Sequence, residues 1–550
     1  MMSPDKWAPP GHLVLEAGAL KAIRLPGNAA VTAGPGAGKT ELLAQRADFL
    51  LQTGACAYPK RILAIAFKRD AAAVLRQRVR RRSGNALGAR LDSLTFDAFA
   101  RRLIELFRPL LTGTDALDSA FRVGKKRIGR KQVSFKELVP LAMKIIELEP
   151  RAARFVRMTY THVFLDEFQD CTDKQYTLIM RLFQGTGASM TAVGDEKQRI
   201  MGFAGALKGV FGKFVADFNA EPIALYQNHR SKASIRRVQN AVARLIEPSA
   251  QVDDATIKGN GGRIRVGGFD GAPEEAAAIG RVIGELIDAG TPGHEIAVLY
   301  VRDTEYVAGP LCNELDRLGI PWRNEQELQD LLSEPVTVLM VNLLRALGRD
   351  SAPDAYAELM LVLPDSDNDH GLTDWMRFLD GLRRRLRKAG RAHLVEVMEN
   401  VLDAFLERFS VANLSAMSAD YADVDYLMER IAEAGNRLAA LVTATGDLGE
   451  ALRRFSADGT VRVMSIHKCK GMEFDAVFVP AVEEEQWWGD EDEERCAFFV
   501  AVSRARNTLI ATYAKQRVRP DSFPGHRQWR KNRTPYGAFL DCLRPFATKG

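Results

Sequence analysis

The sequence predicts an α/β fold made of two lobes, each a parallel sheet flanked by helices and each carrying a mainly helical insertion. Three observations predict it. Short β-rich apolar runs alternate with helical segments along the 550 residues. A glycine-rich loop follows the first of these runs and opens a helix. Two stretches, 101–157 and 335–454, break the rhythm with helical apolar spacing instead.

The strand candidates are Ala29 to Ala33, Ile62 to Phe67, Val163 to Leu165, Met190 to Val193, Ile223 to Tyr226, Ile296 to Val301, Val461 to Ile466, Val477 to Val479 and Leu509 to Tyr513. A shorter run, Ile264 to Val266, follows the turn-forming Lys258 to Gly262. These runs divide the chain into a first lobe over 1–100 and 158–225 and a second over 226–334 and 455–515. The insertions are 101–157 in the first lobe and 335–454 in the second, and 516–550 reads as a basic C-terminal tail.

Composition sets wide bounds. With 76 basic and 70 acidic residues the net charge is +6, which neither demands nor excludes a nucleic-acid partner, because such binding needs a local basic surface. Six scattered cysteines with no C-x-x-C pair suggest neither a disulfide framework nor a zinc or iron–sulfur site. There is no secretory h-region and no apolar run of membrane-spanning length, so a cytoplasmic protein without a membrane partner is expected.

The chemistry starts at Ala33-Gly34-Pro35-Gly36-Ala37-Gly38-Lys39-Thr40. Glycines let backbone amides turn inward around phosphates and the helix N-terminus adds positive potential. Lys39 reaches the β- and γ-phosphates and Thr40 holds Mg²⁺. Ala33 stands where the strict pattern has its first glycine. Further on, the strand Val163-Phe164-Leu165 runs into Asp166-Glu167-Phe168-Gln169-Asp170. A carboxylate at such a strand end holds the metal, and its neighbour polarises water, so Asp166 is the second metal ligand and Glu167 the catalytic base. Alone, an acidic pair after a strand is more often a solvated strand end or a helix cap. Its order after the phosphate loop favours the catalytic reading.

At this point a family resemblance emerges. Asp166 to Asp170 resembles motif II of the superfamily 1 helicases related to UvrD and Rep, and further motifs follow in order. Ile62 to Lys68 resembles motif Ia and Leu94 to Phe99 motif Ib, which implies contacts to single-stranded DNA from Phe67, Thr95 and Phe96. Val193 to Ile200 is similar to motif III, with Gln198 as γ-phosphate sensor, and the region just after it supplies Phe203 as a DNA-stacking face. Leu225 to Ser231 resembles motif IV, making Arg230 a γ-phosphate contact. Ser465 to Asp475 resembles motif V and brings His467 to DNA and Gly471 and Glu473 to the nucleotide. Phe499 to Arg506 resembles motif VI, with Arg504 as a second arginine finger. The resemblance spans Gly34 to Arg506 and implies two RecA-like P-loop NTPase lobes that use ATP and Mg²⁺, and an ATP-dependent 3′ to 5′ DNA helicase or translocase.

Physical logic runs alongside. Lys39, Asp166 and Glu167 belong to the first lobe and Arg230 and Arg504 to the second, so both lobes must close on one ATP to stabilise its developing charge. Departures from the family pattern stand beside the matches. Val14 to Leu20 offers no adenine-reading glutamine; Met201 and Ala204 replace an aromatic and an arginine; Ala66 and Asp97 replace a threonine and a histidine. Loss of one stacking platform weakens the grip by about 1 to 3 kcal/mol.

The first insertion carries Arg122, Lys125, Lys126, Arg127, Arg130 and Lys131 with Phe121 and Phe135, a set that either grips duplex phosphates or forms a solvated face. The insertion at 335–454 is shorter than the accessory domain of larger relatives. The basic stretch Lys515 to Arg533 reads equally as a binding segment or as a solubilising tail. Nothing after Arg506 resembles a nuclease, so cleavage would need a separate nuclease subunit. Compact helicases of this family also occur beside OLD-type nucleases in anti-phage systems such as Gabija, and the size of the chain fits that analogy. Three readings result: a motor on single-stranded DNA or a single-strand/duplex junction; a DNA- or nucleotide-sensing ATPase that regulates a partner nuclease; and a small-molecule kinase, which leaves the ordered motifs without a purpose.

Overall fold

The computed structural model describes the chain except residues 1, 11–12, 14, 125, 249–252, 329–330, 349–351, 364–368, 419–420, 422–423, 457–458 and 549–550, and the side chains of 70, 203, 327, 333, 369 and 370. Val14 and Lys125, singled out above, therefore lie outside the described residues, as does the side chain of Phe203.

The strands of the described residues are numbered β1 to β14 in chain order. The first sheet uses β1 (Ala29–Ala33), β2 (Arg61–Ala66), β3 (Leu91–Thr95), β6 (Tyr160–Leu165), β7 (Ser189–Gly194) and β8 (Glu221–Leu225) in the order β3-β2-β6-β7-β1-β8. All its pairings are parallel, with Val31 opposite Val193 on one side and Ile223 on the other. The strands are apolar on both faces because helices cover both. Leu63, Ile65, Val163 and Leu165 face the helix Phe96–Phe107 and its neighbours. Ile62, Ala64, Phe164 and Val31 face the helix Lys39–Gln52.

The second sheet repeats the design with β9 (Arg263–Gly271), β10 (Ile296–Tyr300), β11 (Trp322–Asn324), β12 (Val461–Ser465), β13 (Phe474–Val479) and β14 (Ala505–Gln516), ordered β11-β12-β10-β13-β14-β9 and again all parallel. The remaining strands, β4 (Arg122–Gly124) and β5 (Gln132–Ser134), pair with each other inside the first insertion, which is otherwise helical. A separate helical body between β11 and β12 packs around Leu339, Leu343, Phe405, Phe409 and Phe455.

Three features differ from expectation. The edge strand β3 is absent from the strands the sequence predicts, since Leu-Asp-Ser-Leu-Thr lacks a continuous apolar run, and β11 is only three residues long. The short run Ile264 to Val266 extends through Gly271. The expected basic tail is not a tail. After β14 the chain folds back onto the second lobe, where Phe539, Leu540 and Leu543 of the helix Gly537–Leu543 are buried in its core. Trp529 packs edge-on against buried Phe523 with ring centroids 4.8 Å apart. Its arginines are largely used internally: Arg517 bonds Glu275 Oε2 at 2.6 Å and Glu483 Oε2 at 2.8 Å, and Arg527 holds Asp303 at 2.8 Å.

Arg517 is 3% exposed and bridges two buried carboxylates. Removing one partner of such a network strands the others without compensation. Arg517→Ala is expected to lower unfolding stability by about 3 to 5 kcal/mol, read as a shift of the urea midpoint.

Candidate active site and interlobe cleft

The ends of β1, β6 and β7 meet at the carboxyl edge of the first sheet, the usual ligand position for such sheets. Beyond β1 the chain turns through Gly36 at φ +71° and Gly38 at φ +78° and starts the helix at Lys39. Both values lie in the left-handed region that glycine adopts without cost. Gly36 also has no room for a side chain: a Cβ would lie 2.5 Å from Asn228 Oδ1 and 2.7 Å from Arg230 Cβ. His229 N donates to Gly36 O at 3.0 Å, so the segment that leaves β8 for the second lobe is laid directly on the phosphate loop.

Asp166 N bonds Ile65 O at 2.8 Å, which fixes the strand end, and Glu167 then takes φ +48°, a strained conformation for a non-glycine residue. Glu167 Oε2 lies 3.9 Å from Lys39 Nζ. Burial and the Glu167 charge push the Asp166 carboxyl up, whereas Glu167 is held low because the Lys39 and Lys470 ammoniums outweigh its own burial. The two neighbouring carboxyls are thereby driven apart, Asp166 holding its proton more readily and Glu167 kept anionic; a bound divalent cation would offset the cost of ionising Asp166.

A hydrogen-bond path leads from Glu167 across the lobe boundary. Gln169 Nε2 donates to Glu167 Oε2 at 2.6 Å and Gln169 Oε1 accepts from Asp195 N at 3.0 Å. Asp195 Oδ2 accepts from Gln198 Nε2 at 2.9 Å, and Gln198 Oε1 accepts from Arg504 Nη2 at 2.7 Å. Arg504 also donates to Met472 O at 3.2 Å and Val500 O at 3.1 Å, and burial lowers its pKa to about 10. Arg230 donates from Nε to Glu473 Oε2 at 2.6 Å and from Nη1 to Ser503 O at 3.0 Å.

These groups line one cleft of about 560 Å³. It contains Gly34, Pro35, Gly36, Ala37, Gly38, Lys39 and Thr40 from the loop, Asp166, Glu167 and Gln198 from the strand ends, and Arg230, Gly471, Glu473 and Arg504 from the second lobe. Ala33 is the exception among the expected nucleotide-binding residues. It is the last residue of β1, buried in the core, and does not line the cleft. Glycine cradles, a lysine, a helix-start threonine and a strand-end aspartate are a donor set that fits a magnesium-bound nucleoside triphosphate.

The structure adds residues that the sequence reading left out. Lys470 Nζ is ion-paired with buried Asp170 and donates to Gln198 O at 3.0 Å, joining the lobes a second time. Lys68 Nζ donates to Lys470 O at 2.9 Å. Glu41, one residue past Thr40, is clasped by Arg78 and Arg82. Lys68 and Lys470 stand inside the quoted motif stretches, but no spacing rule marks their partners.

A second cavity, about 1080 Å³, runs between the lobes and the helical bodies. Phe67 and His467 line it, together with Lys68, Arg69, Arg122, Lys126, Phe135 and Lys468. Burial holds the His467 imidazole below its ordinary range. Of the two expected DNA contacts at the end of β3, one ring is withdrawn into the core and the other side chain caps a helix while staying partly exposed. Phe96 is buried in the first-sheet core, so its ring offers no stacking face, and the Thr95 hydroxyl accepts from Ala98 N at 3.1 Å as the cap of the helix Phe96–Phe107. Met201 lines this cavity in place of an aromatic, and Ala204 is exposed. In the basic stretch of the first insertion, Phe121 is buried and Arg130 pairs with Asp118 at 3.0 Å.

Two parallel-sheet lobes that close on one phosphate loop, with carboxylates from one lobe and arginines from the other, define a P-loop NTPase of the two-lobed RecA-like class. Comparison with known proteins gives the family. The family model for the UvrD/REP helicase N-terminal domain matches residues 15–127 and 119–219, and that for the UvrD-like helicase C-terminal domain matches 393–516, together more than half of the chain. The chain belongs to the UvrD/Rep-like superfamily 1 helicases. Among its relatives, DNA helicase II of Escherichia coli (strain K12) is 25% identical over 89% of this chain and 83% of its own length. DNA helicase II of Haemophilus influenzae is 27% identical over 70% of this chain and 59% of its own length. ATP-dependent DNA helicase PcrA of Leuconostoc citreum is 23% identical over 89% and 80%. Among the described residues no helix is long and apolar enough to cross a membrane.

Gly36 provides a test of the loop geometry. Gly36→Ala is expected to push Asn228 and Arg230 off the phosphate loop and to lower the ATP hydrolysis rate by about a hundredfold, since a displacement of this size misaligns reacting groups. Unchanged hydrolysis would show that this close approach is dispensable.

Proposed function

We propose that this chain is an ATP-dependent DNA helicase or translocase that moves 3′ to 5′ on single-stranded DNA or at a single-strand/duplex junction. The observation that carries the proposal is that Lys68 and Lys470 line both the phosphate-loop cleft and the larger interlobe cavity. A change on the nucleotide side therefore moves cations that face the nucleic-acid side.

Bound ATP with Mg²⁺ supplies the phosphoanhydride bond that is cleaved and the cation that neutralises its oxygens. Lys39 and the loop amides would hold the phosphates, and Thr40 and Asp166 would hold the metal. Glu167, kept anionic by Lys39 and Lys470, accepts a proton from the attacking water. Arg230 and Arg504 bring positive charge from the second lobe, and Gln198 links Arg504 to the first lobe. Opening and closing around this contact is the step that moves the strand. His467 and Phe67 face that strand, as Phe203 does on the sequence resemblance.

A second reading has support in one place. Met201 and Ala204 stand where relatives place an aromatic and an arginine, and Phe96 is buried, so few stacking faces remain. This favours a DNA- or nucleotide-sensing ATPase that governs a separate nuclease subunit with little unwinding of its own. On the first reading the chain acts in repair or in anti-phage defence, the latter by analogy with helicases that occur beside OLD-type nucleases.

Steady-state ATP hydrolysis with and without single-stranded DNA tests the motor. Stimulation by DNA is expected, with Lys39→Ala abolishing turnover and Glu167→Gln lowering it by at least about a hundredfold while nucleotide still binds. Strand displacement on 3′-tailed and 5′-tailed duplexes then separates the readings. Unwinding of the 3′-tailed substrate by the chain alone supports the helicase, and DNA-stimulated hydrolysis without displacement supports the sensor.

A further inference from the structure

Trp488 is the one tryptophan of the chain whose side chain stands mostly in water: it is 66% exposed, whereas its neighbour Trp487 is 3% exposed. Trp487 anchors the segment. It donates from Nε1 to Ala481 O at 3.0 Å and packs edge-on against Phe498 and Phe539 in the core of the second lobe. A single exposed apolar side chain is ordinary, but this one is held in place. The Arg302 guanidinium covers one face of the ring, with Cζ 4.6 Å from the centroid. Arg302 is itself fixed: Nη1 donates to Gln486 O at 3.0 Å, Nη2 is paired with buried Glu494, and Gln486 Nε2 returns a bond to Arg302 O at 2.8 Å. A Cβ on Gly489 would lie 2.9 Å from Arg302 Nη2, so the glycine leaves the guanidinium its place. The second face of the ring is turned to solvent.

The sheet topology sets that face beside His467. Strand β10 lies between β12 and β13, with Tyr300 opposite Ser465, and Ile466 N donates to Tyr300 O at 2.9 Å. At the carboxyl edge β12, β10 and β13 continue into His467, Arg302 and the segment 483–489, in that order across the sheet. His467 lines the interlobe cavity, and after burial the Arg302 charge is the next cause of its lowered pKa, so the two side chains are close. With neighbouring strands about 4.8 Å apart, the segment that carries Trp488 leaves the sheet roughly 10 Å from the one that carries His467. An extended single strand covers that distance in a few nucleotides.

The surroundings of the free face select its occupant. Trp488 lines an open groove of about 570 Å³ at this edge. The groove holds Asp303, Glu484 and Glu485 as well as Arg527, Arg530 and Arg533, so no excess of cation draws phosphates into it. Nor is there an apolar patch of the kind that the core of a protein interface uses: beyond Met428, Val518 is the only other exposed large apolar side chain among the described residues. One planar face, backed by a cation and flanked by charges of both signs, suits a flat aromatic ligand such as a base. We propose that Trp488 is a stacking platform for an unpaired base of single-stranded DNA whose backbone passes His467. On the reading of the chain as a DNA motor, on which this rests, the platform supplies the planar face that Met201 lacks.

The test uses the full-length protein and a fluorescently labelled oligothymidylate, titrated by anisotropy at several salt concentrations. Trp488→Ala is expected to weaken binding by about tenfold at each of them, because stacking is lost and phosphate contacts are not. Trp488→Phe keeps a ring and is expected to stay within about threefold of the wild type. Val518→Ala, the control, is expected to bind as the wild type does, and the urea midpoint of Trp488→Ala is expected to match the wild type because the ring is exposed. An oligonucleotide carrying 5-iodouracil is expected to crosslink, on irradiation, to the peptide that contains Trp488. Wild-type affinity in Trp488→Ala, or the absence of that crosslink in a protein that binds the oligonucleotide, overturns the platform and leaves the motor standing. A wild-type chain that binds no oligonucleotide overturns both. If Trp488→Ala alters the sedimentation of the chain alone but not its affinity for DNA, the ring is a contact between copies of the chain and the platform is likewise overturned.

Discussion

Gln198 has both ends of its side-chain amide satisfied only while the lobes are together. Its nitrogen is held by Asp195 at the edge of the first sheet and its oxygen by Arg504 from the second lobe. All three groups are buried. Separating them without water costs roughly 1 to 3 kcal/mol for a neutral group and more for a charged one. The neighbouring ion pair of Lys470 with Asp170 obeys the same rule more severely, because both charges are almost fully withdrawn from solvent. Burial pushes the Asp170 carboxyl up to about 6 even with that ammonium beside it. An interface of this kind favours two discrete arrangements, closed with every partner in place or open with every group hydrated, over intermediate ones.

Such bistability gives the shared wall its meaning. Lys68 and Lys470 are bound to each other through Lys470 O, and each faces both clefts. The larger cavity offers mostly cations, Arg69, Arg122, Lys126 and Lys468, with Phe67 and Phe135 as its aromatic faces. If a strand is bound there as proposed, its grip would be dominated by phosphate contacts, which weaken steeply with salt, rather than by stacking. The helical accessory body presents Glu334, Glu429 and Glu433 to the same space, opposing the cations across it. Their partners lie on the accessory body itself: Glu334 accepts from the Tyr421 and Tyr426 hydroxyls at 2.9 Å, and Glu429 and Glu433 pair with Arg430.

Much of this was legible in the sequence, for definable reasons. Lys39, Asp166, Glu167, Gln198, Arg230 and Arg504 lie at strand ends or in turns, where short patterns carry their own geometry, and the structure brings them into one cleft. The strands β1, β10 and β12 were readable because helices cover both sheet faces, leaving unbroken apolar runs. What escaped depends on distance or on context. Lys470 and Asp170 are three hundred positions apart, and no local pattern joins them. Phe96 stands beside polar residues in a stretch resembling a DNA-contact motif, yet its ring turns into the core beside Phe99 and Leu103.

Positive charge was the least legible property of all. The stretch from Lys515 to Arg533 is as basic as a nucleic-acid-binding tail, but Arg517 and Arg533 are buried and Arg517 and Arg527 are matched to carboxylates on the second lobe. Arg230 and Arg504 are far apart in sequence and form no run, yet both line the phosphate-loop cleft. A run of charge in sequence therefore says little until the partner of each member is known. The informative quantity is the balance of cation and carboxylate around each site after folding.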